Sequence, residues 1–192
     1  MKKNKVIIIS LIVIILAVGG CLGVKFYLNK DLEGQKQKLQ ETIEKHGYVE
    51  KENVTTCVAK FNTEVMDNNV GNPASDEYMV AQGNVYWYGL INDIYLYIKP
   101  ENFTENKDND ITETMAIQYS KNIEDETIVV NYVKALIKAN NENLTDADID
   151  YLITEAKKLS NDKKTANNGK GISVGYVDNG EKIEYQVIRL YK

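Results

Sequence analysis

The chain has 192 residues, 43% hydrophobic and 27% charged, which suits one ordinary domain plus an apolar anchor. Net charge is −5, but Lys2, Lys3, Lys5 and Lys25 precede any acid, so from Phe26 onward 19 bases face 28 acids, a net −9. A body that acidic is excluded as a general nucleic-acid binder, and its two cysteines, Cys21 and Cys57, do not make a disulfide scaffold.

After MKKNK, the run Val6–Val24 spans 19 residues without a charge and ends at Lys25. That matches the roughly 20 residues a helix needs to cross the hydrocarbon core. Phe26 and Tyr27 follow where an interfacial belt places aromatic rings. Within the run, Val18-Gly19-Gly20-Cys21 resembles a bacterial lipobox, with Cys21 as the residue that receives the lipid. Gly19 and the apolar residues after Cys21 depart from that pattern, so a signal-anchor helix and a lipoprotein signal both stand as readings of residues 1–28. Either one carries the remainder across a membrane. The short, acid-free, lysine-rich start argues for export, although Lys25, Lys30, Lys36 and Lys38 beyond the run blur the flank comparison.

Residues 29–50 read as a polar helical stalk. Asp31–His46 carries only a thin apolar line at Leu32, Leu39 and Ile43, and Gly47 stops it. Residues 51–192 form the domain. Its first helix runs from Val54 to Met66, with Val54, Cys57, Val58, Phe61 and Val65 on one face.

NVYWYGLINDIYLYIKP, residues 84–100, is the strongest strand signal, and Asn92-Asp93 predicts a tight turn inside it. A two-residue turn there pairs Trp87 with Ile98 and Tyr88 with Tyr97. Val85, Trp87, Ile91, Ile94, Leu96 and Ile98 then share one face, and Tyr86, Tyr88, Tyr95 and Tyr97 share the other with Leu90.

A polar stretch, Glu101–Asp110, leads to a strand with Met115, Ile117 and Tyr119 alternating. A helix is expected over Glu124–Ala139, with Ile128, Val129, Tyr132, Val133, Leu136 and Ile137 as its apolar face. Thr145 is the expected N-cap of the next helix, with Asp148 three residues on and Leu144 stapled to Ile149. Ser160–Gly171 reads as an exposed loop. The last element is a hairpin turning at Asp178-Asn179-Gly180, with Ile172, Val174, Tyr176, Ile183, Tyr185 and Val187 on its buried face. Beyond Val187 the parity changes, with Ile188 and Leu190 apolar and Arg189 between them, which predicts a bulge or burial on both sides. The fold class expected is α+β: about five antiparallel strands with helices packed on one face.

No catalytic set emerges. His46 is the single histidine, at a helix end, so no HExxH zinc site exists, and no GxSxG elbow appears. Cys57 sits among Val54, Val58 and Phe61 and reads as core. Asp108, Asn109 and Asp110 lack the glycine and terminal glutamate of a calcium loop and read as solvated. Asn168-Gly169-Lys170-Gly171 lacks the strand and Ser/Thr of a phosphate loop. No cofactor or metal is implied.

Two surfaces remain. Lys157, Lys158, Lys163, Lys164 and Lys170 form a basic patch suited to anionic headgroups or an envelope polymer, or simply a solvated loop. The face holding Tyr86, Tyr88, Tyr95 and Tyr97 suits a protein or glycan partner if exposed, and is plain core if helices cover it. The expectation is a membrane-anchored, extracytoplasmic, bacterial-type domain with a non-catalytic binding or assembly role at the cell envelope. A small carboxylate-based envelope hydrolase and a passive spacer are the alternatives.

Overall fold

The computed structural model describes residues 47–81 and 83–191. Cys21, the apolar run, most of the stalk and His46 lie outside them. No helix among the described residues is long and apolar enough to cross a membrane.

The domain is α+β. Three helices, α1 (Val54–Asp67), α2 (Glu126–Asn140) and α3 (Asp146–Leu159), accompany seven strands. The strands are β1 (Met79–Ala81), β2 (Val85–Gly89), β3 (Ile94–Pro100), β4 (Thr112–Ser120), β5 (Ala166–Asn167), β6 (Ile172–Asp178) and β7 (Lys182–Arg189). They build one antiparallel sheet in the order β1-β2-β3-β4-β7-β6-β5. Two strands exceed the expectation: β1 and β5, of three and two residues, which form the edges. Neither is long enough to display an alternating pattern. β5 lies in the stretch read as exposed loop, yet its Ala166 is buried against β6.

The helices follow their apolar stripes. In α1, Val54, Cys57, Phe61 and Val65 are buried, and the Asn53 side chain caps the helix by accepting from the Thr56 N–H at 2.8 Å. Phe61 stacks on Tyr132 of α2 with ring centroids 6.2 Å apart. α3 opens with the capping box the sequence indicated: Thr145 and Asp148 satisfy each other's backbone N–H groups. Leu144 and Ile149 are both buried in the core. In the β6–β7 hairpin, Val174 pairs with Val187 and Tyr176 with Tyr185, on the face expected.

The β2–β3 hairpin departs from expectation by one residue. Asn92 and Asp93 do turn the chain, both with positive φ (48° and 60°), and the Ile94 N–H donates to the Ile91 carbonyl. The carbonyl of Ile94, however, accepts from the Leu90 N–H at 3.0 Å, so Leu90 and Ile91 together oppose Ile94 as a bulge. Pairing therefore runs Tyr86 with Ile98, Trp87 with Tyr97, Tyr88 with Leu96 and Gly89 with Tyr95. A one-residue shift moves every β2 side chain to the other face. Tyr86 and Tyr88 enter the core beside Ile94, Leu96 and Ile98, whereas Trp87 joins Tyr95 and Tyr97 outside. The four tyrosines do not share a face.

Arg189 is the second departure. β7 continues in register, Ile172 opposite Arg189, with no bulge. The alternation is intact and places the single arginine on the core face, 4% exposed. Residues 47–50, expected at the end of the stalk, already pack on the domain. The Val49 N–H donates to the Leu190 carbonyl at 2.8 Å, and Leu190 in turn donates to Gly171. Gly171 has φ +81°, and a Cβ there would collide with the Tyr48 backbone, so only glycine admits this approach.

The register has a direct consequence for stability. Tyr86→Ala is expected to cost about 3–5 kcal/mol, the range for emptying a core aromatic site. Tyr97→Ala, on the outer face, should cost about 1 kcal/mol or less. Urea midpoints of the two variants check this; equal losses would contradict the bulged register.

Candidate functional site

Three groupings of polar or aromatic side chains merit comparison: a buried node at Arg189, a buried carboxylate at Asp110, and the outer face of the sheet.

At the first, Arg189 Nη2 donates to Glu52 Oε2 at 2.9 Å and to the Glu50 carbonyl at 2.8 Å, while Nη1 donates to Asn140 Oδ1 at 3.0 Å. Nη1 also lies 3.5 Å from Cys57 Sγ, and Lys60 pairs with the other oxygen of Glu52. The guanidinium thus joins the entering chain, α1, α2 and β7. Burial would raise the Glu52 pKa, but Lys60 and Arg189 outweigh it and hold the carboxyl below its ordinary value. Burial pushes the Cys57 thiol up despite Arg189 beside it. A thiol 1% exposed, with its pKa raised, is poorly placed to act as a nucleophile. The node closes the core.

Asp110 is fully buried although Asp108 and Asn109 beside it are exposed. The expected solvated run therefore ends in a core carboxylate. Asp110 accepts from Tyr86 Oη at 2.7 Å, from the Thr104 N–H at 2.9 Å and from the Thr104 hydroxyl at 2.6 Å. Burial favours the neutral acid, yet these donors outweigh it and hold the pKa below the usual aspartate value. This arrangement folds the β3–β4 connection over Tyr86. Among the described residues, no three His, Cys, Asp or Glu side chains converge as a metal would require.

The outer face is different in kind. All three helices bury residues in the one core that Tyr86, Tyr88, Ile94, Leu96 and Ile98 join, while the side chains alternating with these, Trp87, Tyr95 and Tyr97, stay partly exposed, as do Gln118, Glu184 and Gln186. Trp87 and Tyr97 are cross-strand partners with ring centroids 5.7 Å apart and planes 23° from parallel; Tyr95 stands 4.9 Å from Trp87. Beside this aromatic shelf runs a polar ladder. Tyr97 Oη donates to Gln118 Oε1 at 3.2 Å, Gln118 Nε2 to Glu184 Oε2 at 3.1 Å, and Gln186 Nε2 to Glu184 Oε1 at 2.6 Å. Burial first, then the Glu184 carboxylate, raises the Tyr97 pKa and keeps that hydroxyl a donor. Small residues lie between the rungs: Ala116 separates Tyr97 from Gln186, and Gly175 follows on β6. The result is a shallow depression from Tyr97 to Gln186, with a second one beyond Trp87 at Met79.

Of the tyrosines singled out in the sequence, Tyr95 and Tyr97 belong to this site and Tyr86 and Tyr88 do not. Sequence reasoning missed Trp87, Gln118, Glu184 and Gln186 as members. With Ile183, Tyr185 and Val187 on the buried face, alternation implies that Glu184 and Gln186 face outward; what was missing was the pairing that brings them next to β4.

The five lysines do not form one cluster. Lys157 and Lys158 occupy its last turn, and Lys163 and Lys164 follow it. Lys170 instead reaches back to Asp148 at the first turn, at 2.8 Å, about 14 Å along the helix axis from Lys157. Lys158 and Lys164 pair with Glu155 and Asp162, and Lys157 lies 5.9 Å from the Tyr185 ring centroid. Most of the local positive charge is thereby answered within the domain.

Two outcomes test these assignments. Native protein treated with iodoacetamide should leave Cys57 unmodified, as mapped by peptide mass, and denatured protein should show it alkylated. Rapid native labelling would contradict its burial. Asp110→Asn should lose about 2 kcal/mol near neutral pH, the scale for hydrogen bonds to a charged acceptor. The folded-state pKa is depressed, so this contribution is full above about pH 3.9 and disappears as pH falls through the folded value. The gap in urea midpoint between wild type and variant should therefore narrow in acid, and a constant gap would exclude the ionised form as the stabilising one.

No known protein family, no characterised protein and no solved structure matches this chain.

Proposed function

We propose that the chain is a membrane-tethered, extracytoplasmic domain of bacterial type that binds a cell-envelope partner through the open face of its sheet, without catalysing a reaction. The apolar leader and the lysine-rich start support the tether. The observation that carries the binding role is the Trp87–Tyr95–Tyr97 shelf beside the Gln118–Glu184–Gln186 ladder. Aromatic rings offer rigid contact area at low entropic cost. The ladder holds hydrogen-bonding groups in fixed positions without occupying all of them, because each glutamine amide keeps a second N–H. Glu184 stands between two amides and not beside a second acid, an arrangement suited to holding a ligand more than to passing protons between carboxyls.

Expression of the full-length chain in a bacterial host, followed by fractionation and external protease digestion, tests the tether. The product should sediment with membranes and lose its body to added protease. Affinity capture from envelope extracts with wild type and with Gln186→Arg tests the face. Capture of an envelope component, reduced about ten-fold or more by the variant, is expected. A body shielded from external protease, or capture indifferent to Gln186→Arg, would overturn the proposal.

A further inference from the structure

We infer that the open face accepts a neutral, linear glycan laid across the strands, a reading that rests on the face being the binding surface. The side chains in one cross-strand row set the geometry: Met79, Trp87, Tyr97, Ala116, Gln186 and Gly175 follow one another over β1, β2, β3, β4, β7 and β6. With strands about 4.8 Å apart, this row extends about 24 Å. Its profile is a ridge of two stacked aromatic rings with a depression on either side. A straight, flat ligand follows such a row, and a compact one does not fill it.

The chemistry narrows the ligand further. Sugar rings present C–H faces that stack on aromatic planes and hydroxyls that both donate and accept. The shelf supplies the planes. Glu184 supplies acceptor positions beyond the two that Gln118 and Gln186 use, and the amides supply spare donors. A peptide strand would bring backbone N–H and C=O groups in need of a sheet edge, which a sheet face does not provide. A polyanion would need cations at the centre of the row, where the single formal charge is that of Glu184. Lys99 and Lys182 stand at the margins, the first paired with Glu113 and the second 5.9 Å from the Tyr95 ring centroid.

Trp87 is the only tryptophan of the chain, so its emission reports on the shelf directly. Full-length protein is titrated with chitotetraose, cellotetraose and maltotetraose, with the corresponding monosaccharides, and with heparin as a polyanion. A saturable change in emission is expected for at least one tetrasaccharide, with its monosaccharide weaker by about ten-fold or more, and none for heparin. Tyr97→Ala and Gln186→Ala should each weaken that binding about ten-fold or more, and Tyr151→Ala, on exposed α3, should leave it unchanged. Absence of binding by all three tetrasaccharides at millimolar concentration, survival of binding in both face variants, or preference for heparin would overturn the inference. Should envelope capture still depend on Gln186 while no tetrasaccharide binds, the glycan assignment fails and the binding role stands; should capture be indifferent as well, both fail.

Discussion

The hydrogen bond from the Leu90 N–H to the Ile94 carbonyl decides which side of the sheet each β2 side chain occupies. Because strand side chains alternate, one residue gained or lost at this turn exchanges the entire face. In the pairing observed, Tyr86 and Tyr88 fill the core beneath the helices, and Trp87 completes an aromatic group with Tyr95 and Tyr97 on the open side. Had the Ile91 N–H taken that carbonyl, an indole would lie in the core and two more tyrosines in solvent. Burial favours the pairing seen: Ile94, Leu96 and Ile98 line up with Met115, Ile117 and Tyr119 of β4, and Tyr86 and Tyr88 extend that apolar row.

Two buried polar groups hold the surroundings of that core. Asp110 receives the Tyr86 hydroxyl, which lets a tyrosine sit fully inside without an orphaned donor. Arg189 is surrounded by acceptors from elements far apart in sequence, Glu50, Glu52 and Asn140, so it acts as a clasp between the first and last segments of the domain. Burying a lone guanidinium would be costly; a carboxylate and two neutral oxygens in range offset part of that cost, with Nε left unpartnered, and make the geometry specific. The clasp matters for the face as well. It secures β7, and β7 carries Glu184 and Gln186.

The domain therefore divides its aromatic residues between two tasks. Those inside fill the core among hydrophobic partners; the Tyr86 and Tyr132 hydroxyls donate to Asp110 and to the Asn72 carbonyl, whereas those of Tyr88 and Tyr185 have no acceptor. Those outside are grouped on one part of an otherwise polar sheet, next to groups that retain hydrogen-bonding capacity. Partial exposure of the Trp87, Tyr95 and Tyr97 side chains leaves this second group accessible.

Much of this was legible from residue order alone. The 3.6-residue stripes located all three helices, Thr145 and Asp148 located a cap, and the Asp178-Asn179-Gly180 turn located a hairpin with its buried face, because each is a short-range effect of side-chain spacing and backbone preference. The uncharged apolar run at residues 6–24 and the acidic composition after it were equally plain. Tertiary structure alone decided the rest. The bulge at Leu90–Ile91 depends on which carbonyl a neighbouring N–H reaches, and both registers satisfy the local pattern. The interior position of Arg189 depends on acceptors supplied by residues some 50 to 140 positions away. The edge strands β1 and β5 are too short to carry a pattern. The polar ladder exists only because β4 pairs with β7 across the two intervening helices, bringing Gln118 beside Glu184, a proximity that no local sequence signal encodes.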